Sequence, residues 1–178
     1  RAAYYGVFVV ITLYLSNVLG FSDIQAATIA GIFSACLYFL PTFSGALADK
    51  IGFRKSMLLA FLLLTLGYLG LGVFPTFLAS TGLVEYGYET RFNGLQDSNY
   101  RYGILPIMAL IVVGGSFIKS VISGTVAKET DESTRAKGFA IFYGMVNIGA
   151  FSGKVLVTPL RDSMGHEGMI VLNYFSAS

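Results

Sequence analysis

The stretch Gly45-Ala46-Leu47-Ala48-Asp49-Lys50-Ile51-Gly52-Phe53-Arg54-Lys55 sets one acid, three bases and two glycines between two long apolar segments, roughly residues 24–48 and 56–79. Either flank is long enough to cross the ~30 Å hydrocarbon core of a bilayer at 1.5 Å per residue. So short a link predicts two spans lying side by side and antiparallel. Its basic surplus predicts that the link faces the cytoplasm.

The composition of the whole chain agrees. Apolar residues make up 54% and charged residues 12% of the 178-residue sequence, with mean hydropathy +0.68. A soluble domain carries about 25% charge. The few charges are clustered and leave apolar stretches of about 20 residues between them, the length of a span. A soluble reading would need several helices apolar on every face. The net charge of +2 sits in the loops and fits a membrane-surface bias, not a nucleic-acid footprint. Cys36 and His166 are each the single residue of their type. No intramolecular disulfide, Cys/His catalytic cluster, metal site or cofactor is therefore expected.

Five spans and the start of a sixth are expected. The first runs from the chain start to about Gly20, and the second and third are about Ile24–Ala48 and Ser56–Ala79. The fourth is about Ile104–Val126, the fifth about Gly138–Leu160, and a sixth starts near Met169. The chain enters an apolar segment at Arg1-Ala2-Ala3-Tyr4-Tyr5-Gly6 and stops a few residues into another. The expectation is a fragment of a longer membrane protein, truncated at both ends.

Lys50, Arg54, Lys55, Lys128, Arg135 and Lys137 fall in the 2–3 and 4–5 links, against Arg91, Arg101 and Arg161 in the other connections. That imbalance predicts a cytoplasmic N-terminus. The 3–4 connection, roughly residues 80–103, carries Tyr86, Tyr88, Tyr100 and Tyr102 with Glu85, Glu89 and Asp97, and reads as an interfacial or external hairpin. Glycines and prolines recur inside the spans, among them Gly67, Gly70, Gly72, Gly114, Gly115, Pro41 and Pro75. Small residues let helices approach closely in lipid, and prolines bend them.

An ionisable residue at bilayer depth is costly and is a functional candidate for that reason. Lys119 lies near the middle of the fourth span, with Ser116, Ser120 and Ser123 around it. The spacing puts Ser116, Lys119 and Ser123 on one stripe. A lysine held out of water can exchange a proton with a nearby carboxylate; the alternative is a snorkelling or statically paired amine. Tyr143, Asn147 and Lys154 share a face of the fifth span. The Asn147 amide can donate to and accept from a substrate, while Lys154 either attracts a carboxylate or snorkels. Ser34, Tyr38 and Thr42 form a further stripe on the second span. Arg1 opens the first span beside Tyr4 and Tyr5, as a carboxylate anchor or as a basic flank.

The opening stretch resembles the major facilitator motif between the second and third helices, Gly-x-Leu-Ala-Asp-x-x-Gly-Arg-Arg/Lys. Gly45, Leu47, Ala48, Asp49, Gly52, Arg54 and Lys55 match it, and Phe53 stands where that motif often has a base. Other stretches resemble the proton-dependent oligopeptide transporter (POT) group. Arg1-Ala2-Ala3-Tyr4-Tyr5-Gly6 is similar to the end of its Glu-x-x-Glu-Arg-Phe-x-Tyr-Tyr-Gly motif, whose glutamates would lie upstream of residue 1. Gly114 to Lys119 resembles its fourth-helix Gly-x-Gly-x-x-Lys, with Ser116 for the second glycine and Ser120 for the common proline. Phe139 to Gly149 resembles its Phe-Tyr-x-x-Ile-Asn-x-Gly signature, with Val146 for isoleucine. Tyr38 and Pro41 also fit the group, whereas Lys154 lies outside its pattern.

The resemblance implies an all-α integral membrane fold, the N-terminal six-helix bundle of a twelve-helix transporter in the cell (inner or plasma) membrane. It implies no enzyme. Gly45, Asp49, Gly52, Arg54 and Lys55 would form a cytoplasmic gate. Lys119 and Arg1 would serve proton coupling, and Tyr4, Tyr5, Tyr38 and Asn147, with Lys154 beside them, would meet a small peptide or similar solute. The implied partners are that substrate, protons, the lipid bilayer and the C-terminal half of the same transporter. Two further readings stay open: a facilitator for a sugar, organic anion or drug, and a nutrient sensor of the same fold without net flux.

Overall fold

A computed structural model describes residues 7, 10–82 and 99–178, with side chains throughout except at 154, 156–158 and 160–170. Arg1, Tyr4 and Tyr5 lie outside the described residues, as do Glu85, Tyr86, Tyr88, Glu89, Arg91 and Asp97 of the 3–4 connection. The side chains of Lys154 and Arg161 are likewise outside them.

Every regular element among the described residues is helical. The first segment ends in a π-helical turn, Tyr14–Val18. Gly20 then turns the chain at a φ of 69°, a left-handed conformation that costs glycine little. Helix α1, Asp23–Phe39, opens on a capping box. The Ser22 hydroxyl accepts from the Gln25 N–H, and the Gln25 side chain accepts from the Ser22 N–H. Two of the orphan donors of the first turn are satisfied in this way.

Pro41 starts the next helix, α2, Pro41–Ile51, and the two axes meet at 45°. The expected second span is thus a bent pair, not one straight helix. Pro41 also interrupts the expected Ser34–Tyr38–Thr42 stripe. A single residue, Gly52, joins α2 to α3, Phe53–Ser80. A 3₁₀ turn, Asn99–Gly103, leads into α4, Ile104–Lys128, and α5 follows as Arg135–Ala177. Helices α3 and α4 are each long and apolar enough to cross a membrane, and the bent α1–α2 pair makes a third candidate span.

Helix α4 is the hub and touches each of the other four helices. Its seam with α3 is made by glycines. A Cβ added at Gly114 would lie 2.9 Å from the Ala60 carbonyl oxygen, and one at Gly70 would lie 2.6 Å from the Ile107 side chain. The expected role of small residues is met here, because only a missing side chain lets the backbones come so close. Most of the core gathers around this hub, with Tyr14, Leu15, Leu37, Leu71 and Ile111 buried together. A smaller cluster of Ala48, Ala60, Phe117 and Val121 lies toward Gly52.

Two further features depart from the expectations drawn from sequence. Helix α5 is continuous for 43 residues and runs through the connection expected between Leu160 and Met169. At about 65 Å it is twice the ~30 Å of a hydrocarbon core. Its far end packs on α3, where the Tyr174 ring would lie 3.1 Å from a Cβ added at Gly72. Ile141, Tyr143, Met145, Ile148 and Phe151, in its first half, stay exposed. Arg101, counted among the loop charges, is buried. Its guanidinium donates to the Gly20 carbonyl at 2.7 Å and lies 4.7 Å from the centroid of the Phe21 ring. Tyr102 meets the same ring edge-on. The end of the 3–4 connection is therefore stapled to the turn between the first two spans.

Candidate functional site

The site begins with a defect in a hydrogen-bond ladder. In an uninterrupted helix the Leu37 carbonyl would accept from the N–H of residue 41. Residue 41 is proline, which has no N–H. Leu37 is fully buried, so water does not replace the missing donor. Lys119 does: its ammonium nitrogen lies 3.1 Å from the Leu37 carbonyl oxygen and donates to it. The partner comes from α4, 82 residues along the chain.

Neighbouring groups hold this contact in place. Ser120 donates to the Pro41 carbonyl at 2.6 Å, and the Ser44 and Ser120 hydroxyls are 3.2 Å apart. Gly115, one turn before Lys119, leaves room for the Leu37 side chain, where a Cβ would come within 3.0 Å of it. The Tyr38 ring lies over the ammonium at 4.4 Å, a cation–π contact, although the tyrosine itself is 77% exposed. Lys119 also lines a cavity of about 280 Å³ with Phe61, Thr65 and Tyr68 of α3 and the end of α5.

The predicted residues are thus divided. Lys119 and Tyr38 are brought together. Asn147 is exposed on α5 and does not line this cavity. The part of the continuous α5 that lines the cavity and meets Gly72 of α3 is its far end. The stripe Ser116–Lys119–Ser123 is not a working unit. Ser116 is buried and donates to Val113, while Ser123 is exposed and donates to Lys119's own carbonyl. Ser120, Ser44 and Pro41 take part instead. The signal for them was the proline itself, since it orphans a carbonyl four residues earlier.

At the other end of the bundle, Gly52 has φ 93° and ψ 140°, a combination that essentially only glycine adopts. It closes α2 by donating to the Ala48 carbonyl and opens α3 by accepting from the Ser56 N–H. Asp49, in the last turn of α2, and Arg54 and Lys55, in the first turn of α3, are exposed. Phe53, the residue that departs from the motif, turns toward α4. Its ring would be 2.9 Å from a Cβ at Gly124, and the Lys128 ammonium lies over it at 4.2 Å.

The model of the Major Facilitator Superfamily matches residues 1–161. The chain belongs to that superfamily. Facilitator membership makes it an integral membrane protein of a transporter class, not an enzyme. Among curated proteins it is similar to dipeptide and tripeptide permease A of Erwinia pyrifoliae, 30% identical over 89% of this chain and 28% of the permease. It is also similar to permease A of Citrobacter koseri, 30% identical over 98% of this chain and 31% of the permease. Dipeptide and tripeptide permease B of Aeromonas hydrophila is 27% identical over 93% of this chain and 29% of its own length. The facilitator chain therefore spans about three tenths of the relatives it matches.

Proposed function

We infer that this chain is the N-terminal bundle of a proton-coupled transporter that imports small peptides or similar solutes by alternating access. The observation that carries the reading is Lys119, a lysine set in the hub helix, held by a backbone carbonyl and facing a cavity. The names of the permease relatives support the peptide part of the reading. In this scheme the C-terminal half of the same transporter completes the pocket, and the two halves rock about it. Protonation of a carboxylate paired with Lys119 frees a pocket group for the substrate and lets the gate reset.

Arg1, Tyr4, Tyr5, Asn147 and Lys154 remain candidates for coupling and substrate contact, with Tyr38 beside Lys119. Gly45, Asp49, Gly52, Arg54 and Lys55 are proposed as the gate on the cytoplasmic side of the inner or plasma membrane, where the N-terminus also lies. One proton crossing 100 mV supplies ~2.3 kcal/mol, before any contribution from a pH difference.

The test is uptake of a labelled dipeptide by the full-length protein in liposomes under an imposed pH gradient. Accumulation that requires an inward proton gradient is the expected result. Absence of uptake, or uptake indifferent to the gradient, would overturn symport. Uptake of a sugar or organic anion in place of the dipeptide would reassign the substrate.

A further inference from the structure

We propose that Pro41 is a positioning residue for Lys119: by withholding an N–H, it leaves the Leu37 carbonyl as the dock for the lysine ammonium. The inference rests on the coupling role proposed for Lys119 and adds what holds that amine in place. Three observations converge on it. Helix α1 ends at Phe39 and α2 begins at Pro41, so the freed carbonyl lies at the 45° bend. The Lys119 ammonium donates into that carbonyl, and the next residue, Ser120, donates into the carbonyl of Pro41 itself. Gly115 opens the space through which Leu37 and α4 approach. Helix α4 thus grips both sides of the break through adjacent residues.

The consequence is that the bend and the amine form one device. A hydrogen bond from an ammonium is stronger than one from a neutral amine. The charge on Lys119 and the geometry at Leu40 therefore bias each other, and the coupling is reciprocal. Among the described residues, the Tyr38 ring from α1 lies over the amine and Tyr68 from α3 lines the same cavity. When the ammonium leaves for another acceptor, the Leu37 carbonyl loses its donor and the bend loses a tie to α4.

The experiment uses the full-length transporter in liposomes with two changes at one position. Pro41→Ala supplies the missing N–H. The α-hydroxy analogue of alanine at position 41 supplies neither ring nor N–H. The first readout is acylation of Lys119 by acetic anhydride, followed by mass spectrometry with the exposed Lys50 as internal reference. Pro41→Ala is expected to raise the relative rate at Lys119 about tenfold, the factor that corresponds to 1.4 kcal/mol. It is also expected to shift the pH profile of dipeptide uptake. The α-hydroxy variant should keep both wild-type values, and Ser120→Ala should leave the acylation rate within about twofold.

An unchanged rate in Pro41→Ala would overturn the proposal, as would an α-hydroxy variant that behaves like alanine, since the ring and not the N–H would then matter. A tenfold rise in Ser120→Ala would overturn it too, by showing general loosening. Gradient-independent uptake by the wild type would sink proton coupling alone, and the acylation result would still judge Pro41.

Discussion

Pro41 and Pro75 each remove a backbone donor, and the two breaks are repaired by different chemistry. Pro75, inside α3, removes the donor that the Leu71 carbonyl would use, as Pro41 does for Leu37. Both orphaned carbonyls belong to fully buried residues. The Tyr14 hydroxyl, from the π-helical turn, donates to Leu71, 57 residues away, and that tyrosine is 1% exposed. Lys119 donates to Leu37 beside a cavity and beneath an exposed tyrosine ring. A neutral hydroxyl sealed in the core has one state and acts as a rivet. An amine at a cavity wall can change charge and partner, so its repair can be undone. On the proposed coupling role of Lys119, the same backbone defect is structural in one place and switchable in the other.

Removing each donor separates the two repairs most strongly. Lys119→Ala in the full-length protein should lower proton-driven dipeptide accumulation by on the order of 100-fold. Exchange of labelled for unlabelled dipeptide without a gradient should survive, because proton movement is not required for it. If both fall together, Lys119 is structural like Tyr14 and the contrast fails. Tyr14→Phe should leave the coupling ratio intact and destabilise the protein by about 1–3 kcal/mol, the cost of a buried unsatisfied acceptor. Thermal unfolding in detergent measures this. Pro75→Ala in the Tyr14→Phe background restores an N–H to Leu71 and should recover part of the loss.

Two glycines of the opening stretch sharpen the contrast at smaller scale. Gly52→Ala should cost about 1–3 kcal/mol of stability, since φ 93° with ψ 140° is strained for any side chain. Gly45→Ala should change stability by less than about 0.5 kcal/mol, because a Cβ there meets Ser120 at an ordinary 3.6 Å. A stable Gly45→Ala protein that no longer transports would show that the space is needed in a different arrangement of the two halves.

Much of the fold was legible before the structure. The third and fourth spans follow from apolar length, and their described bounds, Phe53–Ser80 and Ile104–Lys128, extend the expected ones by at most three residues at either end. The α3–α4 glycine seam was legible from small residues in apolar segments. The bend at Leu40 was implicit in Pro41, although the second span was read as one stretch. The site was legible only in part. Lys119 stood out because a charge in an apolar span is costly. Ser120 was passed over for Ser116 and Ser123, since helical periodicity ranks residues on one helix and cannot say which neighbour they meet. Arg101 was counted as a loop charge, because composition does not reveal that a carbonyl and an aromatic ring await it at Gly20 and Phe21.

Residue types alone place the chain in a membrane, mark out the third and fourth spans, and leave the carbonyls four residues before Pro41 and Pro75 without donors. Those are local consequences of hydropathy and the chemistry of one residue. Which side chains repair the breaks depends on packing, because the donors come from other segments of the chain. Packing also leaves α5 unbroken and Asn147 exposed, outside the lining of the Lys119 cavity. The link from Gly45 to Lys55 belongs to both levels. Its glycine at position 52 is dictated by backbone conformation, and the turn of Phe53 toward Gly124 and Lys128 is dictated by the helix beside it.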